Sequence, residues 1–168
     1  VYKQLTLESE GADVVSVTAA SAEDHVFEVT ADYVNISGFT VEKASNKAGI
    51  YLYDKPLVYL EDISDFTIAD AAGQVILVHC DNITAENLCI SNTSVGVELW
   101  ETNNCKIINN FANGNNYGIY LGYSCNNMLK NNTCSNNKYC GIRLYFSSNN
   151  TVTNNTANSN NQYGVSLF

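Results

Sequence analysis

Three consecutive segments of this sequence repeat one pattern. They read NNCKIINNFANGNNYGIYL (103–121), NNMLKNNTCSNNKYCGIRL (126–144) and NNTVTNNTANSNNQYGVSL (149–167). Each has an Asn pair, a short apolar run, a second Asn pair, an Asn-rich turn and a Gly-aliphatic-x-Leu strand. The glycines Gly96, Gly118, Gly141 and Gly164 lie 22 or 23 residues apart. A period of this length is typical of a parallel β-helix or of a leucine-rich repeat.

The residues inside each repeat favour the β-helix. A leucine-rich repeat needs a dense Leu framework, and these segments contain only one or two leucines each. An apolar spacing of 3.6, which would indicate helices, is absent. The apolar residues instead alternate with outward-facing ones, as in Ile119-Tyr120-Leu121 and Ile142-Arg143-Leu144. Asn and Gly separate these runs because both tolerate the left-handed backbone of a sharp corner.

Stacked coils place equivalent residues above one another. We therefore expect three inward columns and one corner column of asparagines, whose amides hydrogen-bond from coil to coil. The inward columns are Ala85, Ile107, Leu129 and Val152; Ile90, Ala112, Cys134 and Ala157; and Val97, Ile119, Ile142 and Val165. The corner column is Asn110, Asn132 and Asn155.

The chain is expected to form a single β-helix domain over residues 1–168. Residues 1–34 are interpreted as entry coils, 35–102 as irregular coils and 103–168 as regular Asn-rich coils. An insertion near 53–59 is expected to leave the wall as a loop, and Phe39 and Phe66 are expected to stack inside. Neither end shows a capping pattern, so we expect the ends to stack on neighbouring copies, or the chain to be a segment of a larger cell-surface protein.

The repeats resemble a known family. The phrases NNTVTNNTANSNN and YGIYL, together with DHVFEVTADYVNISGFTVE (24–42), are similar to the NosD-like and carbohydrate-binding and sugar hydrolase group of right-handed parallel β-helix repeats. The resemblance implies an all-β, right-handed parallel β-helix of about seven coils. It also implies an extracellular, cell-surface setting of the archaeal type. Fold alone does not imply function, since proteins of this architecture include enzymes, adhesins and scaffolds.

Charge limits the classes of partner. The net charge of −9 disfavours nucleic acid and anionic membranes, and no apolar run is long enough for membrane insertion. All 17 acidic residues lie within 1–101, whereas 102–168 contains four bases and no acid. Such an asymmetry is compatible with electrostatic matching between the ends of successive molecules.

One outer face is a candidate carbohydrate-binding site. The register predicts Glu98, Tyr120 and Arg143 in a line on successive coils, with Tyr51, Tyr123 and Tyr145 nearby. Aromatic and mixed charges are also ordinary on exposed β faces, where they stabilise the sheet. The acidic residues Glu61, Asp62, Asp65, Glu98 and Glu101 are candidates for a glycosidase pair, but no catalytic residue is assigned.

Cysteine, metal and glycan sites are the remaining candidates. Cys105 and Cys125, near one corner of adjacent coils, are the best disulfide pair, and free buried thiols are the alternative. His79-Cys80-Asp81 is the only His–Cys cluster, and no metal site or cofactor is expected from it. The N-glycosylation pattern occurs at Asn35, Asn82, Asn92, Asn131, Asn149 and Asn154.

Two functions from different classes remain. The leading hypothesis is a non-enzymatic structural or adhesive module that assembles with copies of itself through its end coils, forming a fibre or surface layer. The alternative is a module that binds or cleaves polysaccharide through the Glu98–Tyr120–Arg143 face.

Overall fold

The computed structural model describes residues 55–168 in full and, before them, the backbone of six strands. The chain divides into two compact units, Val1–Leu57 and Val58–Phe168. In the first unit three pairs of strands are parallel: β1 (Thr6–Leu7) with β4 (Asn35–Ile36), β2 (Val15–Thr18) with β5 (Phe39–Glu42), and β3 (Phe27–Val29) with β6 (Ile50–Leu52). All elements of the described residues are strands, so no membrane-crossing helix occurs among them.

The second unit is a parallel β-solenoid of about four turns. One long sheet contains β9 (Gln74–Val78), β12 (Val95–Trp100), β15 (Tyr117–Gly122), β17 (Cys140–Tyr145) and β19 (Tyr163–Leu167). A second sheet contains β8 (Thr67–Ile68), β10 (Thr84–Glu86), β13 (Lys106–Ile108), β16 (Met128–Lys130) and β18 (Thr151–Thr153). The pair β11 (Cys89–Ile90) and β14 (Phe111–Ala112) forms the third side. The predicted fold class is confirmed, while the number of seven coils stays a prediction.

The predicted inward columns form the core of this solenoid. Ile107 pairs in register with Ala85 and Leu129, and Ile119 pairs with Val97 and Ile142. All six of these side chains are fully buried. A leucine column, Leu77, Leu99, Leu121 and Leu144, follows two residues after the Ile119 column. No single coil could bury these side chains, so the stack of coils makes the core.

The predicted asparagine column closes one corner of every coil. The backbone N–H of Asn110 donates to Asn132 Oδ1 at 2.9 Å, and that of Asn132 donates to Asn155 Oδ1 at 2.8 Å. Each side-chain amide also donates to a backbone carbonyl of the preceding coil, as Asn132 Nδ2 does to Ile107 O at 2.8 Å. These asparagines satisfy corner backbone groups that no strand partner reaches.

Four columns of left-handed residues turn the chain between the sheets. Three contain mainly asparagine, for which this conformation is comparatively easy. The fourth follows the long sheet and contains His79, Glu101, Tyr123 and Phe146, with φ between 45° and 51°. Bulky side chains rarely occupy this region, so this edge of the sheet carries backbone strain.

The structure corrects the predicted position of Phe66. Ile68 pairs with Ala85, and Phe66 is 50% exposed rather than stacked inside. The cause is a short first coil: the left-handed corners Asp62 and His79 are 17 residues apart, whereas later ones are separated by 22 or 23. Phe39 has no described side chain.

The insertion predicted near 53–59 contains a strand where a loop was expected. Strand β7 (Lys55–Glu61) covers most of it, and its first residues pair antiparallel with β6, Leu52 opposite Lys55. The chain therefore reverses direction between β6 and β7 and continues as a strand. The residue pattern around Pro56 did not predict this strand. The assignment of residues 1–168 to one domain stays a prediction.

Candidate carbohydrate-binding face

The outer surface of the long sheet carries the predicted line of residues. Glu98 pairs in register with Tyr120, and Tyr120 pairs with Arg143. Adjacent parallel strands lie about 4.8 Å apart, so the three side chains span roughly 10 Å of the face. We call this surface the aromatic face and define it by Trp100, Tyr117, Tyr120, Tyr123, Tyr145 and Phe146 together with Glu98 and Arg143.

Trp100 lies flat on the neighbouring strand. Trp100 pairs in register with Gly122, and a Cβ added to Gly122 would lie 2.6 Å from Trp100 Cε3 and 2.7 Å from Cζ3. Only a residue without a side chain leaves room for the indole there. The indole also contacts Tyr123 edge to face, with ring centroids 5.1 Å apart.

The strained corner column completes the aromatic face. Tyr123 stacks on Phe146 at 5.6 Å with nearly parallel rings, and Tyr145 meets Phe146 edge to face at 4.6 Å. Tyr123 is 44% exposed and Phe146 is 60% exposed. The left-handed backbone of both residues aims large rings outward, where they join the rings of the adjacent strand. The result is a solvated aromatic cluster that continues from coil to coil.

Arg143 lies on β17, among aromatic rings of this face. Its Cζ atom is 5.8 Å from the Tyr117 ring centroid, 5.9 Å from that of Tyr145 and 5.0 Å from that of Phe168. Its Nη1 donates to Tyr117 Oη at 3.5 Å, a long hydrogen bond. These contacts hold the guanidinium by cation–π attraction more than by hydrogen bonding.

Glu98 and Tyr120 are partly withdrawn from water. Burial raises the pKa of the Glu98 carboxyl above its ordinary value. Burial also raises the pKa of Tyr120, against the opposing effect of the Arg143 charge. Both groups are therefore suited to hydrogen bonding with a polar, uncharged ligand group on this side.

Several of the acidic candidates have polar partners in the structure. Glu101 Oε2 lies 3.0 Å from His79 Nε2, and His79 Nδ1 lies 3.8 Å from Asp62 Oδ1. Asp65 accepts a hydrogen bond from the Asn82 amide at 2.7 Å. Asp62 and Glu101 are therefore engaged with one histidine and Asp65 with an amide, so these acidic candidates contact polar side chains.

The disulfide candidates are not bonded in the structure. Cys105 is buried, and its thiol donates to Asn103 O at 3.0 Å. Cys125 is only partly buried, and its sulfur accepts from the backbone N–H of Ser148 at 3.3 Å. The offset of two residues between them places the two side chains in different corner columns, Cys105 beside Asn127 and Cys125 beside Asn103. The disulfide stays a prediction.

The glycosylation candidates have a common backbone explanation. Asn82, Asn92, Asn131, Asn149 and Asn154 are all exposed and all left-handed, with φ from 50° to 59°. Each of these corners has a left-handed Asn, then an inward residue, then an outward Thr or Ser. The glycosylation pattern therefore recurs because the corner recurs in successive coils. Their glycosylation stays a prediction. The side chains of Asn35 and Tyr51 lie outside the described residues.

Several residues of the aromatic face escaped sequence reasoning. Trp100 and Gly122 were missed because their column holds a different residue in every coil, and Phe146 because a bulky left-handed corner is unexpected. The repeat register was the available signal, because Trp100, Gly122 and Tyr145 are separated by 22 and 23 residues, the period of the coils.

A comparison with protein families matches residues 33–168 to the family described as periplasmic copper-binding protein (NosD). This chain belongs to the NosD family. Comparisons with curated proteins and with solved structures gave no match. The NosD match agrees with the resemblance drawn from the Asn-rich repeats and with the parallel β-solenoid.

The copper in the NosD description has no fitting ligand set among residues 55–168 of this chain. Copper favours clustered His, Cys and Met ligands, and no group of three or more His, Cys, Asp or Glu residues there could hold a metal ion. His79 is exposed and engaged with Glu101, while the adjacent Cys80 is buried, with its thiol donating to Leu60 O and Val78 O. The two neighbours therefore point to opposite sides of the wall.

Proposed function

We propose that this chain is a non-enzymatic polysaccharide-binding module of the cell envelope. The observation that carries the proposal is the aromatic cluster of the exposed Tyr123 and Phe146 with the half-buried Trp100 and Tyr145 on successive coils. Aromatic rings offer rigid apolar surfaces to the C–H faces of sugar rings, and tyrosine adds a polar edge. An exposed cluster of this kind on a rigid scaffold is typical of a binding surface.

The geometry suits a chain-like ligand better than a small molecule. The aromatic face is open and extends across at least three strands, β12, β15 and β17. A polysaccharide can follow such a face over several sugar rings, whereas small molecules usually occupy concave pockets. Cleavage is the weaker alternative, because the nearby carboxyls are half-buried, as in Glu98, or engaged with His79, as in Glu101.

An extracellular or envelope location is part of this proposal. The NosD family is described as periplasmic, and an envelope protein meets polysaccharide directly. The surface-layer, archaeal and glycoprotein features expected from the sequence remain proposals of the same kind.

The test is binding to a panel of immobilised glycans and soluble polysaccharides, followed by variants. Tyr123→Ala and Trp100→Ala each remove one exposed or flat-lying ring, and we expect each to weaken binding at least tenfold, about 1.4 kcal/mol. Phe111→Ala is the matched control, because Phe111 is 52% exposed but lies on β14, away from the long sheet. Absence of binding to every polysaccharide, or equal losses in the control, would refute the proposal.

A second candidate function is end-to-end assembly of copies into a fibre. It is favoured by the last coil, where the inward columns are uncovered: Val152 is 36% exposed, Val165 is 46% exposed and Leu167 is 69% exposed. A further coil, from a second copy or from a longer chain of which this sequence is a segment, would cover these side chains and pair the outer edges of β18 and β19. All 17 acidic residues lie within 1–101 and residues 102–168 contain four bases and no acid, which favours electrostatic attraction between copies.

Sedimentation and electron microscopy of the purified chain test assembly. We expect concentration-dependent growth that Leu167→Lys suppresses and that high salt weakens. A chain that remains strictly monomeric at high concentration would reject this candidate without affecting polysaccharide binding.

A further inference from the structure

We infer that the polysaccharide is acidic and that Arg143 binds its anionic group, a uronate carboxylate or a sulfate ester. The inference rests on the proposed function, since it specifies the ligand of the same aromatic face. It begins from the charge of Arg143, which has no counter-ion within residues 55–168.

The surroundings of Arg143 hold the guanidinium without neutralising it. Three aromatic rings lie within 6 Å of its Cζ atom, and its one side-chain hydrogen bond is the long contact to Tyr117. Its Nε is buried and has no acceptor. Arginine has five N–H donors. The Nη donors that do not reach Tyr117 are left for solvent or for a ligand.

Charge around Arg143 favours an anion. Residues 102–168 contain no acid, and Glu98 is separated from Arg143 by the intervening strand of Tyr120, about 10 Å along the face. Lys138 lies 5.3 Å from the Tyr139 ring centroid, and that ring is 5.3 Å from Tyr117. A second cation therefore lies beside the same aromatic cluster.

The two ends of the face differ in charge, which orients the ligand. An oxyanion is attracted to the Arg143 end, where a planar guanidinium fork matches the two oxygens of a carboxylate or sulfate. It is repelled at the other end by Glu98 and Glu101. Neutral hydroxyl groups of the next sugar are the better partners there.

Single-stranded nucleic acid is the other polyanion that stacks on aromatic rings beside arginine. The net charge of −9 disfavours it, because the acidic first part of the chain repels a long phosphate backbone. The experiment therefore includes a single-stranded nucleic acid as a competing ligand.

The experiment compares matched pairs of polymers that differ only in the anionic group. The full chain is titrated with polygalacturonate and its carboxyl-reduced form, with κ-carrageenan and its desulfated form, and with poly(dT). We expect one acidic member to bind about tenfold more tightly than its neutral partner, about 1.4 kcal/mol. The pair that shows the difference identifies carboxylate or sulfate as the anion.

Variants assign the preference to one residue. Arg143→Gln is expected to make the two members of the pair bind equally, and Arg143→Lys to restore part of the preference, because it keeps the charge but not the fork. Lys106→Gln is the matched control, since it also removes one positive charge but from β13 of the second sheet. Unchanged thermal unfolding of each variant excludes a folding defect.

The outcomes separate the two proposals. Equal binding of acidic and neutral members, or tighter binding of the neutral member, overturns this inference while polysaccharide binding stands. A preference that survives in Arg143→Gln, or disappears in Lys106→Gln, also overturns it. Binding to poly(dT) in preference to every glycan overturns both proposals, and so does binding to no polymer.

Discussion

Replacing Asn132 by alanine should destabilise the solenoid by removing one step of an asparagine column. Asn132 is fully buried. Its Oδ1 accepts from the backbone N–H of Asn110 at 2.9 Å, and its Nδ2 donates to Ile107 O at 2.8 Å and to Asn155 Oδ1 at 2.9 Å. Alanine removes these partners and leaves the backbone in place.

The expected magnitude follows from the two backbone groups that lose a hydrogen bond. A buried donor or acceptor left without a hydrogen bond costs about 1–3 kcal/mol. The N–H of Asn110 loses its acceptor altogether, whereas the carbonyl of Ile107 keeps its strand partner in β16 and loses one of two hydrogen bonds. We therefore expect a loss of roughly 2–4 kcal/mol from the free energy of unfolding.

Asn137 offers an internal comparison. It is equally buried and its Oδ1 accepts from the N–H of Asn115 at 2.9 Å, but its Nδ2 has no partner. Asn137→Ala therefore leaves one backbone group unpaired and also removes an unsatisfied donor. Its cost should be smaller, at most about 1–3 kcal/mol.

Urea unfolding of the full chain, followed by circular dichroism, measures both losses. Asn116→Ala is the control for general effects of removing an amide, because Asn116 is only partly buried and its side chain makes no hydrogen bond within residues 55–168. We expect this variant to cost less than about 0.5 kcal/mol. The reasoning is refuted if Asn132→Ala costs no more than Asn116→Ala, or if Asn137→Ala costs as much as Asn132→Ala.

Three further predictions use the same unfolding measurement. Ile119→Ala, in a fully buried column, should cost about 2–5 kcal/mol, and Val165→Ala, 46% exposed in the same column, clearly less; equal costs would contradict the stacking. Gly118→Ala should cost about 1–3 kcal/mol, because its Cβ would lie 2.5 Å from Gly141 O; a neutral effect would contradict the close approach of the coils. Burial raises the pKa of Cys134 to about 12, so the unfolded thiol ionises first and stability falls between roughly pH 9 and 12 by about 1.4 kcal/mol per pH unit. Cys134→Ala should therefore lose less stability than wild type from pH 8 to pH 10, and parallel pH profiles would contradict this.

Much of the fold could be predicted because the repeat encodes the register. Once Gly118 and Gly141 are aligned, Ile119 falls on Ile142 and Tyr120 falls on Arg143, as the structure shows. Period-2 alternation then fixes which side chains face inward. The same logic failed at Phe66, because the first coil is five residues shorter between Ile68 and Val75 than the following coil is between Ala85 and Val97.

The aromatic face was only partly predictable, for a physical reason. A repeat reveals columns of equivalent residues, but a binding surface uses side chains from different columns. Trp100 over Gly122 and the outward corner ring of Phe146 depend on a missing side chain and on a left-handed backbone. Neither property follows from hydrophobic periodicity. The unpaired charge of Arg143 likewise became visible only when its neighbours were placed.

The register of the stacked coils is the claim on which both the core and the aromatic face depend. Methyl–methyl nuclear Overhauser contacts in the full chain measure it most directly, with the methyl groups of Ile119 as the centre. The account predicts contacts from Ile119 to Val97 on one side and to Ile142 on the other, since strands about 4.8 Å apart bring these methyl groups together. Absence of both contacts, or contacts from Ile119 to residues of another column, would contradict the account.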